Sequence, residues 1–246
     1  MKSVYPNILL AAAALCLSVA EAQAQDLSLS LGEDVSLTGL SIQLFAIVAL
    51  LGFAPGLLIM ATCFPFIVTV FSILRQAIGL QQSPPNMLII SVALVLTYYI
   101  MDPVLMEAWS NGLRPLLDEQ LTAESAFPRI MEPFRVFMMA RVDPETLASM
   151  TELRAVPLGM DLDPADPPFS VLIPSFLLSE MSSAFQVGFL IFLPFLIIDL
   201  VVAAILMSMG MMMVPPALVS LPFKLAFFAL ANGWTLISES LVTGYF

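Results

Sequence analysis

The sequence predicts an all-α integral membrane protein with about four hydrophobic helices, which form two helical hairpins with a small helical periplasmic segment between them. The first observation is composition: 60% of the 246 residues are hydrophobic and only 11% are charged, whereas soluble domains are about half apolar and a quarter charged. The second is run length, since residues 35–74 carry no charge and a membrane helix needs about 20 apolar residues. The third is the position of helix-breaking residues, because Pro-Gly and Pro-Pro pairs interrupt the apolar runs where turns are expected.

The charge balance and the missing residue types exclude several functions. Lys and Arg total 8 against 19 Asp and Glu, which gives a formal net charge of -11 and argues against a nucleic-acid partner. The sequence contains no His, so imidazole catalysis and His-ligated zinc are excluded. It also lacks the P-loop and nucleophile-elbow motifs. We therefore predict neither enzymatic activity nor a cofactor or metal.

The first 24 residues have the features of an export signal. Lys2 provides the positive start, residues 8–20 form an apolar core, and Ala22-Gln23-Ala24 is a small-x-small cleavage site. The alternative is an uncleaved first membrane helix, but the apolar core is short for a span. We expect residues 1–24 to be removed and residues 25–41 to form a periplasmic N-terminal segment at a bacterial inner membrane.

Two long apolar stretches predict the two hairpins. We expect the first hairpin at residues 42–105, with a short turn carrying Arg75, and the second at residues 181–246, with a methionine-rich turn. Gly and Pro pairs define the turns because Gly ends helices and a Pro pair cannot continue one. The four predicted spans are residues 42–65, 86–105, 186–209 and 215–237.

The stretch between the hairpins, residues 106–180, is acidic. It carries twelve Asp and Glu against five Arg, whereas the turn of the first hairpin has Arg75 and no acid. By the positive-inside tendency the Arg75 turn is cytoplasmic and residues 106–180 are periplasmic. The triplet Asp143-Pro144-Glu145 predicts a helix start in this segment, since Asp caps and Pro suits the first turn.

Two opposite charges lie inside the second hairpin. Asp199 and Lys224 are each about twelve positions from the predicted turn, so a hairpin would bring them to the same depth. A carboxylate in the middle of a span costs roughly 2.5–3.5 kcal/mol on insertion scales. Such a residue is therefore expected either to form an ion pair or to have a functional role. We interpret them as a buried ion pair that fixes the register of the hairpin. The functional alternative is a proton relay or coupling site.

The turn of the second hairpin is rich in methionine. Methionine side chains are flexible and polarisable, so they can fill an irregular gap and be displaced from it again. From the sequence alone, a lipid-facing or core-filling role explains such a cluster equally well. The candidate gasket residues are Met209, Met211, Met212 and Met213. The candidate turn residues are Gly210, Pro215 and Pro216.

Several stretches of this sequence resemble the FliP family of flagellar biosynthesis proteins. The resemblance covers about residues 42–110 and 170–246. It rests on Leu74-Arg-Gln-Ala-Ile-Gly79, Pro84-Pro-Asn86, Ser179-Glu-Met-Ser-Ser-Ala-Phe-Gln-Val-Gly-Phe189, Pro194-Phe-Leu-Ile-Ile-Asp199, Met209-Gly-Met-Met-Met213-Val-Pro-Pro216 and Ser220-Leu-Pro-Phe-Lys224. One departure is Ser182, which stands where Lys is common in the family.

The resemblance implies a core channel subunit of the flagellar type III protein export gate. It implies a homo-oligomer, a pentamer, joined to FliQ and FliR near FlhA and FlhB, at the basal body in the inner membrane. Unfolded flagellar subunits would pass through the enclosed channel, and the family's methionine loop, thought to form a gasket, maps onto Met211, Met212 and Met213. The alternative function is a small-solute or ion transporter whose Asp199 binds a cation.

Overall fold

The computed structural model describes residues 61–80, 83–158, 163, 165–211 and 213–245, together with scattered positions between 44 and 60. Throughout these residues the regular secondary structure is helical, without a strand. The chain divides into two units, residues 1–51 and 52–246, and the features below belong to the second. The predicted signal peptide and the predicted N-terminal segment lie outside the described residues, as do ten of the 24 positions of the predicted span 42–65.

The second unit is built from helices of very different lengths. A π-helical turn, Trp109–Leu113, continues the second helix directly into the third. In chain order the helices are α1 (Phe64–Ile78), α2 (Asn86–Ala108), α3 (Arg114–Leu117), α4 (Ala123–Arg141), α5 (Pro144–Leu158), α6 (Phe169–Ser208), α7 (Pro216–Leu230) and α8 (Gly233–Thr243).

Helix α1 forms the centre of the core. Pro65 lies in its first turn, where the fixed φ of proline favours helix initiation, and Ile67, Phe71 and Leu74 are completely buried. The helix packs against α6, α2 and α7. Its approach to α6 is close, because a Cβ added at Gly188 would lie 2.5 Å from Ile73 Cδ1.

The position of Arg75 differs from the sequence prediction. Arg75 belongs to the last turn of α1 rather than to the connection between two spans. The helix continues past it because the break comes only at Gly79, which adopts the left-handed conformation with φ of 88°. A cation in the last turn of a helix also interacts favourably with the terminal carbonyl groups.

Helix α6 is one continuous helix of 40 residues. The predicted boundary between residues 180 and 181, and the predicted start of a span at residue 186, both fall inside it. The acidic Glu180 does not end the helix because its side chain is only 1% exposed and is ion-paired with Arg141. The charge that suggested a boundary is therefore part of the packed interior.

The last predicted span, residues 215–237, is broken. Helix α7 ends at Leu230, Asn232 has a left-handed φ of 48°, and α8 continues at an angle of 60°. Gly233 makes this bend possible because an added Cβ would collide with the Phe228 ring.

Two of the described helical stretches are long and apolar enough to cross a membrane, residues 86–117 and Phe169–Ser208. The bent pair α7 and α8 would be a third, and α1 is a shorter apolar helix. The structure therefore supports an all-helical protein with two or three span candidates. The count of four spans stays a prediction.

The predicted helix start at Asp143 coincides with the N-terminus of α5. Asp143 Oδ2 accepts hydrogen bonds from the Thr146 hydroxyl at 2.7 Å and from the Thr146 backbone N–H at 2.8 Å. The hydroxyl contributes most to holding the pKa of Asp143 below its ordinary value of 3.8. Because the pKa is lowered in the folded state, this stabilisation is fully present above pH 3.8 and is lost as the pH falls through the lowered value.

Replacing Asp143 with Ala is expected to fray the first turn of α5, because the Thr146 N–H loses its acceptor. The protection factor of the Thr146 amide, which is the intrinsic exchange rate divided by the observed rate at the same pH, should fall in the variant, and in the unmodified protein as the pH falls through the folded-state pKa of Asp143. Thr122→Ala is the matched control, since Thr122 precedes α4 without a side-chain capping bond. Equal protection of Thr146 in the Asp143 variant and the unmodified protein would contradict the capping role.

Candidate functional site

The turn between α6 and α7 is a compact reversal at Gly210. Gly210 has a φ of 75°, which an L side chain rarely adopts. The amide of Met211 donates to the Leu206 carbonyl at 3.0 Å and the amide of Gly210 to the Met207 carbonyl at 3.1 Å, as in a Schellman-type helix end. Pro215 is extended and Pro216 opens α7, so the proline pair ends the turn where the next helix begins.

The methionines of this turn project away from the rest of the chain. Met209 is 67% exposed, Met211 41% and Met213 97%, while Met212 lies outside the described residues. One chain on its own therefore does not bring these thioethers together around a constriction. Any constriction that they line has to be completed by other chains.

Asp199 and Lys224 are brought together by the hairpin. Lys224 Nζ lies 2.6 Å from Asp199 Oδ2, and the Lys224 side chain is 7% exposed. Ser220, one helical turn before Lys224, donates its hydroxyl to Asp199 Oδ1 at 2.5 Å. The carboxylate is thus held at both oxygens by α7.

A third helix completes this cluster. Lys224 Nζ also donates to the carbonyl oxygen of Ala77 at 3.0 Å, in the last turn of α1. Carbonyl groups at a helix C-terminus lack intrahelical partners and carry partial negative charge, so an ammonium is well suited to this position. Neither Ser220 nor Ala77 was singled out from the sequence, although Ser220 lies four residues before Lys224 and therefore on the same helical face.

The geometry leaves little room for a cation at Asp199. The Lys224 ammonium already neutralises the carboxylate, and Ser220 occupies the other oxygen. A metal or monovalent ion would have to displace Lys224 from a buried position. This arrangement disfavours the transporter alternative, in which Asp199 is a cation-binding site. Among the described residues there is also no group of three or more Cys, Asp or Glu side chains that could hold a metal.

A second buried charge cluster connects α4, α6 and the end of the chain. Glu180 Oε1 accepts from Arg141 Nε at 3.2 Å, and the Tyr245 hydroxyl donates to Glu180 Oε2. Arg141 also donates to the Gly244 carbonyl at 2.9 Å and lies 4.1 Å from the centre of the Tyr245 ring. The backbone N–H of Asp143 bonds to Ser179 at 2.9 Å beside it.

Sequence reasoning missed the role of Glu180, which was counted with the acids of the predicted periplasmic segment, residues 106–180. A usable signal was present: Phe176 and Ala184, one helical turn to either side, are apolar and completely buried in the structure. A carboxylate on an otherwise apolar helix face indicates a buried partner rather than a solvated loop.

These features define an all-helical, membrane-embedded protein whose helices are joined by two largely buried ion-pair clusters. A model of the FliP family matches residues 47–241. The chain is 46% identical over 237 residues to the flagellar biosynthetic protein FliP of Caulobacter vibrioides, which covers 96% of this chain and 88% of that protein. It is 44% identical over 205 residues to that of Aquifex aeolicus (83% and 86%) and 41% over 213 residues to that of Bacillus subtilis (87% and 94%).

The chain belongs to the FliP family. It is accordingly a component of the flagellar export apparatus, and the family is one of structural components rather than enzymes.

Proposed function

We propose that this chain is the channel-forming core subunit of the flagellar type III export gate, and that its methionine turn is the gasket of the channel. The observation that carries this proposal is the turn itself. Exposed methionines lie at the tip of a hairpin whose two helices are joined by a buried ion pair. A hydrophobic seal requires flexible apolar side chains on a backbone that is held in place. Here the methionines are the flexible side chains, and the ion pair holds the two helices of the hairpin together.

The proposed seal works by weak, numerous contacts. Several copies, five by family resemblance, bring Met209, Met211, Met212 and Met213 to a shared constriction. Thioethers packed there exclude water and ions, as hydrophobic constrictions do in channels. A passing unfolded polypeptide displaces them because each contact is weak and each side chain has several accessible rotamers.

The proposed setting follows the family. The copies join FliQ and FliR, with FlhA and FlhB nearby, at the flagellar basal body in the inner membrane. The N-terminal 24 residues are removed on export, and the acidic stretch between the two long helices α2 and α6 faces the periplasm. Asp199 and Lys224 fix the register of the hairpin, and Gly210, Pro215 and Pro216 shape its tip. Unfolded flagellar subunits are the substrates.

Replacing Met211, Met212 and Met213 by Ala together is expected to make the resting channel leak ions while secretion is retained. Alanine removes the flexible apolar bulk that closes the gap and leaves the backbone turn unchanged. The measurement is the ion conductance of cells or vesicles that contain the assembled gate, normalised to the amount of complex.

The matched control replaces Met87, Met106 and Met181 by Ala, because these methionines are also exposed but lie on α2 and α6 away from the turn. An ion-tight turn variant, or equal leaks from turn and control variants, would contradict the gasket.

The mass of the complex purified from native membranes gives the copy number, and a chain that transports solute alone would favour the transporter instead.

A further inference from the structure

The base of the methionine hairpin is attached to the C-terminal end of α1. Lys224 links the Ala77 carbonyl of α1 to Asp199 of α6, at 3.0 Å and 2.6 Å. One turn earlier on α7, Leu221 packs against the same helix end, since a Cβ built at Gly79 would lie 3.6 Å from Leu221 Cδ1. The position of α7 therefore depends on where α1 ends.

From the level of this attachment toward the methionine turn, the two helices of the hairpin leave an open groove along one side. The groove has a volume of about 400 Å³. It is lined entirely by apolar side chains, Ile197, Ile198, Val201, Val202, Ile205, Leu206, Val219 and Phe223. Because close packing is what resists displacement, this part of the hairpin can follow a shift of its base.

The end of α1 is itself held by the connection to α2. Gly79 adopts its left-handed φ of 88°, and the amides of Gly79 and Leu80 bond to the carbonyls of Gln76 and Arg75 at 3.0 Å and 3.3 Å. The Arg75 guanidinium bonds to the Asn86 side-chain oxygen at the start of α2 and lies 3.5 Å from the Pro84 carbonyl. Arg75 and Asn86 thus form an anchor that fixes the last turn of α1.

We propose that the Arg75–Asn86 anchor and the C-terminal turn of α1 are positioning elements for the methionine turn, acting through Ala77, Lys224 and α7. This inference rests on the proposed gasket, and it names the part of the fold that sets the position of the gasket. The connection between α1 and α2 lies far from the turn in sequence, but it holds the helix end on which α7 is seated. A displacement at this connection is carried by α7 to the tip of the hairpin.

The test variant is Asn86→Ala, which removes the acceptor from Arg75 without a change of charge. The ion leak per assembled gate is expected to rise roughly two- to tenfold, the change in population that losing one solvent-exposed side-chain hydrogen bond brings about. Asn86→Asp is the conservative control, since it keeps an acceptor for Arg75 and should stay as tight as the unmodified protein. In the background of the Met211, Met212 and Met213 replacements, Asn86→Ala should add no further leak.

A second readout does not depend on the gasket being the seal. Oxidation of Met211 and Met213 by dilute peroxide, followed by mass spectrometry of the assembled complex, is expected to change at least twofold in rate in Asn86→Ala and not in Asn86→Asp. Arg154→Ala, which removes an exposed Arg on α5, should leave both readouts unchanged.

The outcomes separate the two proposals. If the methionine variant leaks and Asn86→Ala changes neither leak nor methionine oxidation, the positioning role is wrong and the gasket stands. If Asn86→Ala alters methionine oxidation while the methionine variant is tight, the positioning stands and the gasket is wrong. Equal effects of Asn86→Ala and Asn86→Asp would also overturn the positioning role.

Discussion

Lys224→Ala is expected to destabilise the folded chain by about 3–5 kcal/mol, because it leaves a carboxylate with no countercharge in a largely apolar hairpin. Asp199→Ala should cost a similar amount, since the buried ammonium then keeps only the Ala77 carbonyl. We expect neither variant to assemble. The measurements are the yield of oligomer extracted from membranes and the thermal unfolding of the extracted protein.

The charge swap Asp199→Lys with Lys224→Asp should restore assembly only in part. The swapped pair regains its attraction, but the new carboxylate at position 224 would face the Ala77 carbonyl oxygen and repel it. A swap no better than the single variants would contradict the pairing. Separating the exposed pair Arg114 and Asp118, whose atoms are 3.9 Å apart, is the matched control and should cost at most about 0.5 kcal/mol.

The second large effect is expected at Glu180. Its carboxylate is 1% exposed and accepts from both Arg141 and Tyr245. Glu180→Ala leaves the Arg141 charge with the Gly244 carbonyl and the Tyr245 ring as its remaining contacts. We expect a loss of about 3–5 kcal/mol and a detached C-terminal end, measured by thermal unfolding and by proteolysis of the last residues.

Tyr245→Phe separates the hydroxyl from the ring. The ring contacts with Phe66, Phe137 and Arg141 remain, while Glu180 loses one donor, so the expected cost is about 1–3 kcal/mol. Tyr98→Phe is the control, because Tyr98 is 65% exposed and should change stability by less than about 0.5 kcal/mol. If Glu180→Ala unfolded at the same temperature as the unmodified protein, the buried cluster would not be a stabilising element.

Local patterns were sufficient for part of this structure. The Asp143-Pro144 start of α5 follows from capping chemistry within four residues, and the proximity of Asp199 and Lys224 follows from their similar distances, about twelve residues, to the turn between Gly210 and Pro216. Both inferences need only helix geometry and the position of a break. The all-helical class likewise follows from composition and the length of the apolar runs.

The remaining features depend on contacts between distant parts of the chain. The Lys224–Ala77 bond joins residues 147 positions apart, and the Arg141–Gly244 bond joins residues 103 apart. Periodicity within one helix carries no information about which distant carbonyl a side chain will reach. For the same reason Glu180 was counted with the predicted periplasmic segment, although its partner Arg141 lies on another helix. Arg75 was placed in the turn, although α1 continues to Ile78 and ends only at Gly79.

The length of α6 has a consequence for the whole assembly. Forty helical residues extend about 60 Å, twice the thickness of about 30 Å of a bilayer's hydrocarbon layer. Only 17% of its most apolar window is covered within one chain. If α6 is oriented along the membrane normal, roughly half of this apolar helix lies outside the hydrocarbon layer. That portion needs cover from other protein chains, so an assembly built around an upright α6 is expected to extend beyond the hydrocarbon layer.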